Sequence, residues 1–395
     1  MNTIYKHLLL AVLVGFLVGA IDALFGRVLI WITAFRTIHY LWLLPFLPLA
    51  GLLITWLYHR FNKESLGGMT LIFETRLDKR KDIPLALIPL VMVGTWITHL
   101  FGGSAGREGV AVQIGATISH WLGKKCHLPD NSKILLVTGM AAGFAGLFQT
   151  PLAATFFAME VVIAGYLEIN ALLPALLASY VACFTSRFLG LPKFAVTLPT
   201  SLSLHSLSTM GSIVLLGIAF GLTGRLFATM LAKAKSWMKR SIPDPYQRIG
   251  LVSIPLAIAL MLFFGGRYCG LGTNLITNSF THQTIYAWDW ILKLFFTILT
   301  LSIGFQGGEV TPLFSIGASL GALLGQLLGL DPLLCAALGY AAVFGSATNT
   351  LFAPIFIGLE VFGGANMIPF ALVCILAYVV NGNHSIYTAQ SKVIY

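Results

Sequence analysis

Long apolar runs separated by short polar stretches fill this chain almost from end to end. One run begins at Leu8, passes Val18 and continues beyond Gly19. Others occupy residues 83–101 and 105–123, and the pattern recurs in the second half, as at 310–328. Crossing the hydrocarbon core of a bilayer takes about 20 apolar residues in a helix. The pattern therefore predicts an all-α polytopic membrane protein. Two runs, 134–148 and 350–362, are too short to cross alone and predict broken helices. Irregular backbone at that depth must be buried in protein or line a cavity.

Composition agrees with a lipid solvent. Hydrophobic residues make up 57% of the chain and charged residues 10%, with a mean hydropathy of +0.87. The first apolar run, preceded by Lys6, imitates a signal peptide, but no small-residue cleavage site stands out, so it is expected to remain as the first helix. Cys126, Cys183, Cys269, Cys335 and Cys374 show no metal-like or CxxC spacing and are expected to be reduced packing residues.

The net charge of +10 changes the picture only through its placement. Basic residues cluster at Arg76, Lys79, Arg80 and Lys81, at Lys124, Lys125 and Lys133, and at Lys233, Lys235, Lys239, Arg240 and Arg248. An even number of apolar segments separates successive clusters, so all three can share the cytoplasmic face, and both termini count to that side. The expected setting is a cell membrane, with lipid rather than nucleic acid around the chain.

An internal repeat organises the segments. Residues 139–161, GMAAGFAGLFQTPLAATFFAMEV, align without gaps with residues 339–361, GYAAVFGSATNTLFAPIFIGLEV, nine of the 23 positions being identical. Upstream, Ile114-Gly115-Ala116 matches Ile316-Gly317-Ala318. The segment count sends 105–123 inward and 310–328 outward, so the halves, about 1–200 and 201–395, have inverted topology. Repeats of this kind hold their ion site at the interface between them, with helix N-termini aimed at an anion.

The candidate chemistry sits in Gly102-Gly-Ser-Ala-Gly-Arg-Glu-Gly109, where one apolar run ends and another begins. An acidic side chain at mid-bilayer costs roughly 2.5–3.5 kcal/mol even on the lenient insertion scale, so Glu108 is expected to face a bundle interior or an ion pathway. Glycines allow backbone N–H groups to approach a small anion at the following helix start, where the helix dipole also points its positive end. The run lacks the GK[ST] ending of a nucleotide loop, and His99, His120 and His384 fall in no HxxxH or HExxH pattern, so neither a nucleotide nor a metal is expected. No cofactor is expected. A membrane enzyme acting on lipid would need a metal motif or a nucleophile with its base, and neither is visible, so the expected class is a transporter.

With GREGV at 106–110, GGEVTP at 307–312, the AAGF-to-MEV stretch at 141–161 and Tyr387 near the end, the chain resembles the CLC chloride channels and transporters over nearly its whole length. The resemblance implies a CLC-type two-repeat fold and a homodimer in which each subunit has its own anion pathway. It also implies that Glu108 is a gate, occupying an anion position when ionised and carrying the proton when protonated, with Gly106, Arg107 and Gly109 flanking the anion.

Departures from the chloride-type pattern are informative. Met69, in Gly67-Gly-Met-Thr-Leu71, stands where chloride-selective members have a serine. Glu309, followed by Thr311, stands where they have an apolar residue, and Val110 replaces the proline of the gate block. These features resemble the fluoride/proton antiporter clade, CLC-F, and imply that Met69, Phe73, Thr311 and Tyr387 line the path while Glu309 assists coupling. Val161 occupies the place of the second, inward-facing glutamate of chloride/proton exchangers. The clade often pairs two phenylalanines near the methionine, whereas here Thr70 follows Met69 and only Phe73 remains.

Fluoride is small and strongly hydrated, so a dry path must replace its water with compact hydrogen-bond donors or the positive edges of aromatic rings. Thr311, Tyr387, glycine N–H groups and the edge of Phe73 are suitable. An ionised Glu309 would repel a passing anion, so it is expected to work there as a protonated donor. Glu160 and Glu360, at matched repeat positions near helix ends, are expected to cap helices or face water. The expected function is export of fluoride against inward proton flow, the alternative being a chloride or broad-anion CLC channel or exchanger. Only eight residues follow Tyr387, so no C-terminal regulatory domain is expected.

Overall fold

A computed structural model describes residues 3–128, 132–202, 206–281 and 283–393. The described residues form sixteen α-helices, in two sets of eight. The first set is α1 (Thr3–Leu43), α2 (Leu47–Phe61), α3 (Met69–Arg76), α4 (Leu87–Leu100), α5 (Glu108–Lys125), α6 (Lys133–Phe148), α7 (Pro151–Glu160) and α8 (Leu172–Phe188). The second is α9 (Leu207–Ser241), α10 (Pro245–Leu262), α11 (Thr273–Phe280), α12 (Asp289–Ile303), α13 (Val310–Leu328), α14 (Pro332–Thr348), α15 (Phe352–Phe362) and α16 (Met367–Asn381). Lengths run in parallel through the two sets: each opens on a long helix, and the third member of each has eight residues. Six helical stretches among the described residues are long and apolar enough to cross a membrane, whereas α4, α6, α14 and α15 are apolar but shorter. This is a multi-pass membrane protein with broken helices.

Packing repeats as well. Helix α5 lies along α6 as α13 lies along α14, and α1 packs on α6 and α8 as α9 packs on α14 and α16. Small residues permit the closest of these approaches, as is usual where helices meet without a hydrophobic driving force. A Cβ on Gly115 would fall 2.0 Å from the Gly139 carbonyl oxygen, and one on the repeat-matched Gly317 would fall 2.1 Å from that of Gly339.

Matched residues also meet each other, which locates the pseudo-two-fold axis. Phe144 and Phe344 have ring centroids 6.2 Å apart, and Phe156 stacks on Phe356 at 4.5 Å. Glu160, the last residue of α7, accepts hydrogen bonds from the N–H groups of Leu351 (2.9 Å), Phe352 (3.1 Å) and Ala353 (2.8 Å) at the start of α15. Glu360 near the end of α15 accepts from Leu152 (3.0 Å) and Ala153 (2.9 Å) at the start of α7. Each carboxylate thus satisfies donors that a helix start leaves without partners. The capping expected of these two glutamates is present, and each glutamate caps the helix of the opposite repeat.

Boundaries shift slightly from the sequence pattern. The segment expected at 105–123 begins at Glu108, because residues 102–107 follow an irregular path in which Gly102 has φ +89°. The carboxylate therefore opens the helix. The C-terminal segment ends in Ser391–Lys392, which pairs in parallel with Ile163–Ala164 and brings Tyr387 back into the bundle, where it is buried.

Candidate anion and proton site

The starts of α5 and α13 are held together by their backbones. Gly106 N–H donates to the Gly308 carbonyl at 2.5 Å and Gly308 N–H donates to that of Gly106 at 2.8 Å, an isolated antiparallel bridge between the repeats. No side chain fits between them: a Cβ on Gly106 would lie 2.8 Å from both the Gly308 oxygen and Pro312 Cδ. Gly106 therefore does not offer its N–H to an anion, since that donor is engaged. Its contribution is to align two helix N-termini on one point.

Glu108 is 1% exposed. Its Oε2 accepts from the N–H of Thr311 at 3.1 Å and from the Thr311 hydroxyl at 2.5 Å. Thr311 is the second residue of α13, so its N–H is one of the donors that the helix cannot use internally. Pro312, which has no N–H, follows at a position where none is needed. A negative group there also meets the positive end of the α13 dipole. On the other side, Arg107 Nε lies 3.5 Å from Glu108 Oε1, and the Arg107 N–H donates to Oε2 at 3.4 Å. The carboxylate is thus docked on the opposite repeat with an arginine beside it.

Glu309 is the N-cap residue of α13, yet its side chain makes no capping hydrogen bond. It turns to a cavity of about 590 Å³. Lys235 Nζ from α9 lies 3.4 Å from Glu309 Oε1, and a Cβ on Gly109 would lie 3.9 Å from Oε2. One oxygen thus faces an ammonium group and the other faces the start of α5. Its sequence position shows no cationic partner for Glu309, and α9 brings one, Lys235, to it across 74 residues.

Met69, Phe73 and Tyr387 line the same cavity, as do Gln113, Lys239 and Arg248. Met69 opens α3 after Gly68, whose φ of +50° turns the chain into the helix. Phe73 packs on Tyr387 with ring centroids 5.2 Å apart and planes at 60°, so one phenylalanine and one tyrosine together form the aromatic wall. The Tyr387 hydroxyl is buried and has no hydrogen-bond partner among the described residues, and the same holds for Gln113 Oε1. Gln113, five residues after Glu108 in an apolar helix, and Lys235, inside a basic cluster read only as a topology signal, were both legible as polar residues in the sequence. Nothing local directs either one to this cavity.

Behind the Gly102–Gly109 stretch, Lys293 is fully buried and donates to Ser104 Oγ at 2.8 Å and to the Gly270 carbonyl at 2.6 Å. The ring nitrogens of His99 lie 2.8 Å from the Thr95 carbonyl and 3.0 Å from that of Ala105. These contacts brace the irregular segment, and His99 is a satisfied polar residue as expected. Among the described residues no three His, Cys, Asp or Glu side chains gather where a metal ion could sit.

Two inverted repeats whose broken helices converge, N-terminus to N-terminus, on the buried Glu108 and the cavity-lining Glu309 define a membrane protein that handles a small anion and a proton. The chain matches the family model described as voltage gated chloride channel over residues 50–382, and it belongs to that family, the CLC channels and transporters. A "chloride/fluoride channel protein" of Pseudomonas syringae pv. tomato is 38% identical over 394 residues, covering 98% of this chain and 86% of that one. The crystal structure of a CLC-type fluoride/proton antiporter superposes with a TM-score of 0.97 at 52% identity, covering 99% of this chain and 98% of that one. The structure of a slow cyanobacterial Cl−/H+ antiporter, 22% identical, covers 95% of this chain and 94% of that one with a TM-score of 0.80 and shares the fold.

Proposed function

We propose that this protein is a fluoride/proton antiporter that exports fluoride using inward proton flow. The observation that carries the reading is the placement of two carboxyl groups from opposite repeats at one helix start: Glu108 docks on Thr311, and Glu309 holds the N-cap position of the same helix two residues earlier. When ionised, Glu108 fills the anion position at the α13 N-terminus. When protonated, it loses its attraction for that position and yields it to the anion. Thr311, with a backbone and a hydroxyl donor, then serves fluoride in place of the carboxylate. The Tyr387 hydroxyl supplies another donor on the cavity side, and Phe73 presents a ring beside it.

Met69 fits fluoride better than chloride by subtraction, since it puts a thioether where a serine hydroxyl would help hold the larger ion. Glu309 takes the part of the missing second glutamate at Val161. Arg107 and Gly109 flank the gate, Arg107 as a fixed positive charge and Gly109 by leaving room for Glu309. One pH unit is worth about 1.36 kcal/mol, enough to balance a tenfold fluoride gradient in one-for-one exchange. The basic cavity mouth faces the cytoplasm, as do both termini, and the protein works as a homodimer in a cell membrane with one pathway in each subunit.

The test is flux from proteoliposomes read with fluoride and pH electrodes together. Fluoride should leave loaded vesicles with opposite proton movement, and an imposed pH gradient should drive fluoride uphill. Chloride flux of equal size, or fluoride flux without proton movement, would establish the broad-anion or channel reading instead.

A further inference from the structure

We propose that Lys235 forms an anion subsite at the cavity mouth, where fluoride and the Glu309 carboxylate alternate as partners of one ammonium group. This rests on the antiport reading above and names a residue and a step that the reading leaves open. The geometry suits an exchangeable pair. The N···O distance of 3.4 Å is longer than the 2.7–2.9 Å of a firm charge-assisted hydrogen bond. The Lys235 side chain is 39% exposed while that of Glu309 is 12% exposed, so an ion arriving through the mouth reaches the ammonium before the carboxylate. An ammonium has three donors, and a single carboxylate oxygen leaves capacity for a compact anion.

The other cations lining the cavity cannot replace it equally. Arg248 is 9% exposed and already donates to the carbonyls of Ile303, Ile242 and Pro243. Lys239 lines the same cavity one helical turn further along α9, and Lys235 is the one within reach of Glu309.

Charge links the steps. While Glu309 is ionised, the pair is neutral and a second anion gains little by entering. A proton passed from Glu108 converts the Glu309 carboxylate to a carboxylic acid, and the half-exposed ammonium is left without a counter-ion. Fluoride from the mouth takes that place. Once Glu108 has taken up its next proton and left the α13 start, the acid releases its proton to water at the mouth, and the carboxylate returns to Lys235 and displaces fluoride toward that start. One proton thus admits one anion.

Fluoride binding to the purified full-length protein, measured by calorimetry with sodium fluoride, tests this. Glu309→Gln removes the competing charge and should tighten binding about fivefold, the scale of a half-exposed ion pair. Lys235→Met should weaken it by a similar factor, Lys235→Arg should restore it, and Lys235→Met combined with Glu309→Gln should lose the gain of Glu309→Gln alone. A purely structural lysine would not produce effects of opposite sign. Glu309→Gln that leaves binding unchanged or weaker overturns the proposal by itself, even if Lys235→Met does not fold. So does a double variant that keeps the gain. If the wild-type protein transports fluoride against protons yet this pattern is missing, the subsite fails and the antiport reading stands. If the pattern appears only with chloride, the fluoride reading fails and the subsite stands.

Discussion

Gly106 and Gly308 bind each other backbone to backbone, each donating its N–H to the other's carbonyl, at 2.5 and 2.8 Å. This bridge lies close to the site along both chain segments, two residues before Glu108 and three before Thr311. It sets how far apart the two repeats stand where the carboxylate of one meets the helix start of the other.

Gly106→Ala should therefore abolish coupled transport while leaving the rest of the bundle folded. Its Cβ would meet the Gly308 oxygen and Pro312 Cδ at 2.8 Å, distances that only a backbone shift can relieve. The expected result is at least a tenfold loss of flux, since catalytic geometry commonly loses about 10²-fold per ångström of misplacement. A variant with wild-type flux would show that the bridge does not set the site.

Glu108→Gln should stop proton-coupled fluoride movement in liposomes. The amide is close in size to the carboxyl group but carries neither a charge to compete with an anion nor a proton to pass. An imposed pH gradient should no longer drive fluoride uphill in the variant; full coupling would remove Glu108 from the mechanism.

Met69→Ser restores a hydroxyl donor at the start of α3, on the wall of the cavity. The ratio of fluoride to chloride flux should fall, chiefly through faster chloride movement, by about tenfold for one added hydrogen bond to a charged group. An unchanged ratio in competing-ion flux assays would mean that Met69 does no more than fill space.

Glu160→Ala should cost stability and spare coupling. Three N–H groups at the start of α15 would lose their acceptor, a loss of roughly 1–3 kcal/mol where the donors stay buried. Thermal unfolding in detergent should move to lower temperature, with the fluoride-to-proton ratio unchanged. Lost coupling at unchanged stability would instead place Glu160 on the proton route.

The solvent, the repeat and the costly residues can all be read from the order of residues along the chain. Apolar runs of spanning length require a bilayer whatever their packing. The match of 139–161 to 339–361 requires two related halves, and carboxylates such as Glu108 and Glu309 in those runs require a use, because lipid penalises an idle charge. Short runs at 134–148 and 350–362 were legible as broken helices for the same reason, and they appear as α6 and α15.

The partners of those residues come from the packing of the two halves. Glu108 meets Thr311 from 203 residues away, Lys235 meets Glu309 from 74, and the glutamates at 160 and 360 cap each other's opposite helices. The Gly106 N–H, which local pattern offers to an anion, is taken by Gly308. Periodicity and capping signals act within a few turns of one helix, whereas these contacts arise where inverted halves close on an axis. A carboxylate's place in the chain tells that it must find a partner in the membrane, and the packing of the two halves selects which one.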